Sequence, residues 1–324
     1  MAAEQTDIVV IGMGPGGEDA AGKLAQAGLH VTGVEAKLVG GECPYWGCVP
    51  SKMMIRAANL LAEGRRIPGM AGASTVAPDW APVARRIRDE ATDTWDDKVA
   101  VDRFTGKGGH FVRGRGRITR RGEVTVDTSD GQRVLRARRG VLLNTGTEPA
   151  VPPVPGLAGT PYWTNREAVE TEDVPGSLIV LGGGAVGAEL AQVFARFGAQ
   201  VTVVEAAARL LPVEEPEAGE LLEAVFTRDG IDVRTGTRAG RVSHDGQAFT
   251  LELAGGEALT AQRLLVASGR RADLAALGVG AYGIDEKAAA VAPMSGCGPP
   301  TGCGRSVTSP ARAPSPTCRC TRPA

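Results

Sequence analysis

The residues best equipped for chemistry lie in one stretch, Gly40-Gly41-Glu42-Cys43-Pro44-Tyr45-Trp46-Gly47-Cys48-Val49-Pro50-Ser51-Lys52. Cys43 and Cys48 stand five positions apart, and Ser51 to Glu63 has the pattern of an amphipathic helix. A regular helix would hold residues at that spacing too far apart to bond, because disulfide Cα atoms lie within roughly 7 Å. A distorted turn is therefore required, and Pro44, Gly47 and Pro50 are expected to supply it. Such a turn, feeding a helix start, brings backbone N–H groups and the positive dipole end near the sulfurs and lowers thiol pKa. That suits redox exchange. Spacing by itself leaves two alternatives open, half of a metal site or two buried thiols.

Two glycine-rich units stand on either side of the pair. Asp7 to Ile11 is a short apolar strand, followed by Gly12-Met13-Gly14-Pro15-Gly16-Gly17 and an alanine-rich helix from Glu18 to Ala27 that Gly28 stops. Leu29 to Val34 is a second strand and ends in Glu35, about 20 residues past the first glycines, where an acid can bond a ribose hydroxyl. The glycines let the backbone approach a pyrophosphate at the helix N-terminus. The competing interpretation is a glycine-rich turn with a surface glutamate. The same unit returns in Leu178 to Leu181, Gly182-Gly183-Gly184-Ala185-Val186-Gly187, Ala188 to Phe197 and Val201 to Val204. Gly12, Gly14, Gly17, Gly28, Thr32 and Glu35 map without a gap onto Gly182, Gly184, Gly187, Gly198, Thr202 and Glu205. An internal duplication of this kind predicts two dinucleotides, with Gly182, Gly184, Val186 and Gly187 at the second. Glu205 has no arginine directly beside it, which favours NAD over NADP, although Arg209 is close in sequence.

The remainder connects these units. Asp79 to Phe104 is expected to form a surface helix or helix pair, and Phe111 to Ile118 alternates arginine with small residues. Arginines on one side of a strand make a solvated sheet face, and a net charge of −1 gives no support for nucleic-acid binding. Glu123 to Val126 and Arg133 to Ala137 are strands across an Asp130-Gly131 turn. Val141 to Leu143 runs into Asn144-Thr145-Gly146-Thr147-Glu148-Pro149 and a proline-rich crossover to Pro155. Short strands follow at Ile231 to Val233, Arg241 to His244, Phe249 to Leu253 and Leu264 to Ala267, the last ending in Ser268-Gly269-Arg270-Arg271. At 324 residues the chain is long enough for two domains. Ile8 to Met13 is too short for a signal or membrane helix, so a cytoplasmic protein with no membrane segment is expected.

The Gly41-to-Lys52 motif between two glycine repeats resembles the flavoprotein pyridine nucleotide-disulfide oxidoreductases, the family of dihydrolipoamide dehydrogenase, glutathione reductase and mercuric reductase. The resemblance runs from Asp7 to Asp273. It implies an α/β fold with two Rossmann-like FAD/NAD(P)-binding domains of three-layer ββα/βαβ architecture. It further implies FAD in the first repeat, with Gly41, Lys52, Thr145 and Gly146 contributing, and NAD(P)H in the second, with Gly269 and Arg270 at its exit. Cys48 matches the cysteine whose thiolate lies against the flavin, and Cys43 the one that exchanges with substrate. Lys52 matches the lysine beside the flavin, and Glu189 the acid that pairs with it near the nicotinamide. The implied activity passes a hydride from NAD(P)H through FAD to Cys43–Cys48 and on to a small-molecule or protein disulfide. Reduction of a metal ion or of oxygen by the same path, or an inactive nucleotide-binding fragment, are the alternatives; no bound metal is expected.

Two features depart from the family. Glu42, Pro44, Tyr45 and Trp46 replace the smaller residues common there. The family's second flavin motif containing Gly-Asp, and the interface domain whose His-Glu pair handles substrate protons across a homodimer, are not found. His30, His110 and His244 are no replacement base. Ala288 to Ala324 is rich in Pro, Gly, Ser, Arg and Cys, a composition that predicts disorder. Back-translated with suitable third bases and shifted in frame from Cys303, its end can yield WAVGDVTGPRAFTHVSMYQA, which restores Gly-Asp and Thr-His. An out-of-frame tail is therefore expected, and with it a division into residues 1–150 (FAD and cysteine pair), 151–275 (NAD(P)H) and 276–324.

Overall fold

The computed structural model describes residues 3–291 and the backbone of 303–305. Cys297, Cys318, Cys320 and the expected disorder beyond residue 291 lie outside the described side chains. The chain opens with β1 (Glu4–Ile11), α1 (Pro15–Gln26) and β2 (Val31–Glu35), then α2 (Glu42–Tyr45), α3 (Cys48–Arg66) and α4 (Ala81–Arg86). Next come α5 (Lys98–Thr105), β3 (His110–Arg113), β4 (Arg115–Arg120), β5 (Glu123–Thr128) and the long β6 (Gly131–Leu143). The second half holds α6 (Asn165–Glu170), β7 (Ser177–Leu181), α7 (Ala185–Arg196), β8 (Gln200–Val204) and α8 (Pro216–Arg228). It continues with β9 (Asp232–Arg234), β10 (Ala239–His244), β11 (Phe249–Leu253), β12 (Ala258–Ala261), β13 (Arg263–Val266) and α9 (Leu274–Leu277).

These elements form two compact units, one from Met1–Val39, Val101–Glu148 and Arg270 onward, the other from Gly40–Ala100 and Pro149–Gly269. In the first, β3, β2, β1 and the end of β6 lie parallel, with Val9 beside Thr32 and Val141. The start of β6 instead pairs antiparallel with β5, and β5 with β4, so one strand serves a parallel sheet and a meander. Val9, Ile11, Val34, Ile118, Val124, Val126 and Leu135 fuse the two into one core. The stretch from Phe111 to Ile118 is broken at Gly114, where a Cβ would lie 2.5 Å from the Asp127 carbonyl oxygen. Arg113, Arg115, Arg117, Arg120 and Arg121 are exposed while Gly116 and Ile118 are buried, as a solvated sheet face requires.

The second unit has three layers. Its parallel sheet runs β9-β8-β7-β13, with Ile179 beside Thr202 and Leu265 beside Trp163. The antiparallel β10-β11-β12 covers one face through Val242, Phe249, Leu251 and Leu253. On the other face α3 and α7 pack through Met54, Ala58, Leu190 and Phe194. That packing is why residues 40–100 group with the second nucleotide repeat rather than the first, unlike a division of the chain at residue 150. Asp79 to Phe104 forms the expected helix pair, α4 and α5, and the apolar side of the first is buried: Trp80, Val83 and Ile87 lie in this core, with Trp80 edge-on to Phe197 at 4.9 Å. A π turn at Ile87–Ala91 and a left-handed turn at Asp93, Thr94 and Trp95 interrupt its helices.

The start of the expected tail is ordered. Val279 is fully buried, and Gly278 has φ 69° with Ile118's carbonyl where its Cβ would stand, while Gly122 N–H donates to the Tyr282 hydroxyl at 3.0 Å. Its apolar residues, Leu277 and Tyr282, pack against the core of the first unit, which composition alone does not show. Phe194 joins Trp80 and Trp163 at 5.6 and 5.9 Å, so Phe194→Ala is expected to cost about 3–5 kcal/mol, measurable by urea unfolding.

Candidate functional site

The duplication seen in the sequence extends to individual hydrogen bonds. In the first unit Gly12 N–H donates to Val34 O at 2.8 Å and Asn144 N–H to Ile11 O at 2.8 Å. In the second, Gly182 N–H donates to Val204 O at 2.9 Å and Ala267 N–H to Leu181 O at 2.8 Å. A Cβ on Gly17 would lie 2.1 Å from Gly12 O, and one on Gly187 2.0 Å from Gly182 O, so only glycine permits the turn to close on its helix. Gly12 and Gly182, at φ 90° and 118°, would drive a Cβ into Asn144 O and Ala267 O. Gly14 and Gly184 cap α1 and α7 in extended conformation with no side-chain bond, leaving the first-turn N–H groups to an incoming anion.

The acids correspond as closely. Glu35 accepts from Met13 N–H at 2.8 Å and Lys37 N–H at 2.7 Å; Glu205 accepts from Gly183 N–H at 2.6 Å and Ala207 N–H at 2.7 Å. Each carboxylate is thus fixed at the lip of its glycine turn. Gly16 is exposed in the first turn of α1, and Val186 is 42% exposed in that of α7. Asn144, unmarked in the sequence, donates to Gly12 O at 3.4 Å and leads into Thr145 and Gly146. Gly269 accompanies the second cradle, whereas the Arg270 guanidinium donates to Thr147 Oγ1 at 2.8 Å and Thr147 O at 2.6 Å within the first unit. Gly41, Cys43, Cys48, Lys52 and Glu189 all belong to the second unit.

Cys43 and Cys48 sit on two separate helices. Cys43 is in the short α2 and Cys48 is the first residue of α3, which starts three residues earlier than its apolar pattern indicates. The break falls at Trp46 and Gly47, with φ −136° and −128° and non-helical ψ at Gly47, not at the prolines. Pro44 lies inside α2 and Pro50 in the first turn of α3, where a missing N–H costs nothing. Both sulfurs are free thiols, Cys43 half-buried and Cys48 exposed, and Cys43 hydrogen-bonds to the thiol and the backbone N–H of Cys48. The pair meets.

Its electrostatics differ from the expectation. Burial pushes the Cys43 thiol up to about 11, aided by the hydrogen bond to Cys48 and by that neighbour's charge. The helix-start N–H of Cys48 does act in the expected, lowering sense, but it is outweighed. Lys52 Nζ bonds both oxygens of Glu189 at 2.6 and 2.8 Å, joining α3 to α7, with the side chains 60% and 40% exposed. An ion pair so exposed adds at most about 1 kcal/mol of stability. Its value is a lysine held one helical turn beyond Cys48.

A close cysteine pair and two copies of a glycine turn in one chain are expected of one family, and that family's pattern, described as pyridine nucleotide-disulphide oxidoreductase, matches residues 6–291. The chain belongs to this family. It is 38% identical over 287 residues to a mercuric reductase of Acidithiobacillus ferrooxidans, covering 87% of this chain and 51% of that protein. It is 35% identical over 291 residues to a dihydrolipoyl dehydrogenase of Chlorobaculum tepidum, covering 87% and 61%. Among solved structures it superposes on the Cu(II) complex of the HOCl-induced flavoprotein disulfide reductase RclA from Escherichia coli, with a TM-score of 0.76, 26% identity and coverage of 88% and 60%. LpdA from Mycobacterium tuberculosis gives 0.75, 26%, 88% and 63%. The chain thus spans about half the length of the mercuric reductases. No helix among the described residues is long and apolar enough to cross a membrane.

Three residues around the cysteines went unseen in the sequence: Asn165, Arg166 and Glu170, which contact Glu42 and Trp46 from 119 to 124 positions away. The only local sign was Thr164-x-x-Glu167, a capping box that starts their helix. For Cys43 the raised pKa fixes a sign. The folded state holds its proton, so the associated stability is complete below pH 9.0 and is lost as pH rises to about 11. Alkylation of Cys43 in the reduced protein, followed by peptide mass spectrometry, is expected to keep accelerating to about pH 11. In Cys48→Ser the midpoint should fall, because the neighbour's charge is gone.

Proposed function

We propose that this chain carries the electron path of an FAD-dependent NAD(P)H:disulfide oxidoreductase, with Cys43 and Cys48 as its redox pair. The observation that carries the proposal is the contact between the two thiols across a broken helical turn, with Lys52 one turn further along α3 and paired to Glu189 of α7. The glycine turns, impassable to a Cβ and backed by uncapped helix N-termini, fit two dinucleotides. Gly12, Gly14, Gly16, Gly17, Glu35, Thr145 and Gly146 would hold FAD. Gly182, Gly184, Val186, Gly187, Glu205 and Gly269 would hold the nicotinamide nucleotide. Bound flavin supplies two-electron transfer between a nicotinamide and the cysteine pair.

The chain's own part is thiol exchange. Cys43 thiolate attacks a substrate disulfide, breaking its S–S bond, forming a mixed disulfide and releasing one substrate thiolate. Cys48 then attacks the Cys43 sulfur, closes the Cys43–Cys48 bond and releases the second, and the protons of the two cysteines go to the two leaving thiolates. A Cys43 pKa near 11 makes the first step slow at neutral pH unless a base assists. His244, the histidine of this unit, is turned to its own hairpin, accepting from Gly246 N–H at 3.3 Å and packing on Phe249. Relatives named mercuric reductase make a mercuric ion the alternative acceptor for the same dithiol, and turnover with disulfides, mercuric ion and oxygen separates these readings.

NADH is the favoured donor. Glu205 would accept a ribose hydroxyl, and Arg209, the nearest cation in sequence, spends its guanidinium on the carbonyls of Leu211, Pro212, Glu214 and Glu215 at 2.7–3.4 Å. Calorimetric titration is expected to show NADH binding at least about tenfold more tightly than NADPH, a difference of about 1.4 kcal/mol. For the redox pair, anaerobic NADH titration of the FAD-loaded protein should raise a long-wavelength absorption band that Cys48→Ser abolishes. A band that persists in that variant rules out Cys48 as the flavin-facing thiol.

A further inference from the structure

The segment between the cysteines has little to hold its own shape. Gly40 and Gly41 have φ 105° and 65°, Gly47 breaks the helix, and α2 is a single turn. Tyr45 is buried and its hydroxyl donates to Asp96 O at 3.4 Å, and a further hold comes from α6. Arg166 Nε donates to Glu42 Oε1 at 2.9 Å and Nη2 bonds the same oxygen, while Asn165 Nδ2 donates to Glu42 Oε2 at 3.2 Å. The Asn165 amide also donates to the Trp46 carbonyl at 2.9 Å, an oxygen that Pro50, lacking an N–H, cannot serve. The Trp46 indole donates to Glu170 Oε1 at 2.6 Å, and the Arg166 guanidinium lies 4.7 Å above its ring. Glu42 directly precedes Cys43 and Trp46 stands two residues before Cys48, so both ends of the segment are gripped.

The grip is itself anchored. Thr164 N–H donates to Glu167 at 2.6 Å in the capping box, and Trp163 is pinned to β13 by bonds to Leu264 O and from Val266 N–H, each 2.7 Å. Two nitrogens of Arg166 converge on one oxygen of a carboxylate at 28% exposure, the arginine itself at 22%, and such a charge-assisted contact is stronger than a solvated pair. It also balances a negative charge next to the thiol that must ionise.

We infer that Arg166 and Asn165 are positioning residues for the Cys43–Cys48 pair, acting through Glu42 and Trp46 to set how readily the two thiols close to a disulfide. The inference rests on the proposal that these cysteines form the redox disulfide. With the segment gripped, the open dithiol already holds its sulfurs in contact. Released, the dithiol gains separated conformations that the disulfide cannot adopt, so the dithiol is favoured and the bond becomes easier to reduce.

The test equilibrates the full chain with glutathione, in which the protein dithiol and oxidised glutathione give the protein disulfide and two reduced glutathiones. Acid quenching, alkylation and peptide mass spectrometry then count the 43–48 bond. Failure of the wild type to form that bond at any glutathione ratio overturns the disulfide reading itself. Where it forms, Arg166→Ala is expected to lower the equilibrium constant about tenfold, about 30 mV toward easier reduction. Asn165→Ala, which leaves the ion pair intact and serves if Arg166→Ala does not fold, is expected to lower it threefold or more. A constant within threefold of wild type in the folded variants overturns the proposal. Glu42→Gln added to Arg166→Ala separates charge from grip: a shift that persists is the grip, and one that vanishes means the arginine acts only as a counter-charge and overturns the positioning role.

Discussion

Two thiols five residues apart can touch only where the helix between them fails, and most of the second unit is arranged around that failure. The break at Trp46 and Gly47 lets α2 end and α3 begin anew, so Cys43 and Cys48 lie on successive turns of different helices. A Cβ on Gly47 would stand 3.1 Å from Glu42 O, a tighter approach than most side chains make. A broken turn is not self-supporting, however. α3 is fixed from below by Met54 and Ala58 in the core shared with α7, and the segment before it by side chains of α6.

The duplicated glycine turns answer a different problem, how to close a strand directly onto a helix N-terminus. Their solution is contact between backbones: Gly17 over the Gly12 carbonyl, Gly187 over that of Gly182, each closer than a side chain allows. Because the constraint is on main chain, it leaves a spacing in the sequence that survives divergence of everything around it. Met13 in one copy is Gly183 in the other, yet both donate to the acid at the end of the second strand.

That contrast explains what the sequence makes legible. Glycine spacing, the strands ending in Glu35 and Glu205, and the cysteine motif are local patterns, and the fold class and family follow from them. The burial of Trp80 and Ile87 was hidden, since a half-apolar helix among charges looks the same on a surface as under a neighbour that has yet to be placed. α6 was hidden more deeply: six residues carry too short a period to announce a helix, and their partners lie more than a hundred positions upstream. The pKa of Cys43 failed for a related reason. The sequence shows the helix start that lowers it, and the burial that raises it appears only when the segment is packed.

A raised Cys43 pKa bears on how such a chain divides its work. The thiol that would meet substrate is the half-buried one and holds its proton, while the lysine and the glutamate are joined to each other on the far side of Cys48. His244, the histidine of the second unit, is turned to its own hairpin, so under the proposed function activation of the outer thiol would fall to another group. Burial serves a purpose under that division. A Cys43 kept protonated at neutral pH resists adventitious oxidation and alkylation, because both proceed through the thiolate. Under the proposed function, reactivity would then depend on a base arriving with the substrate.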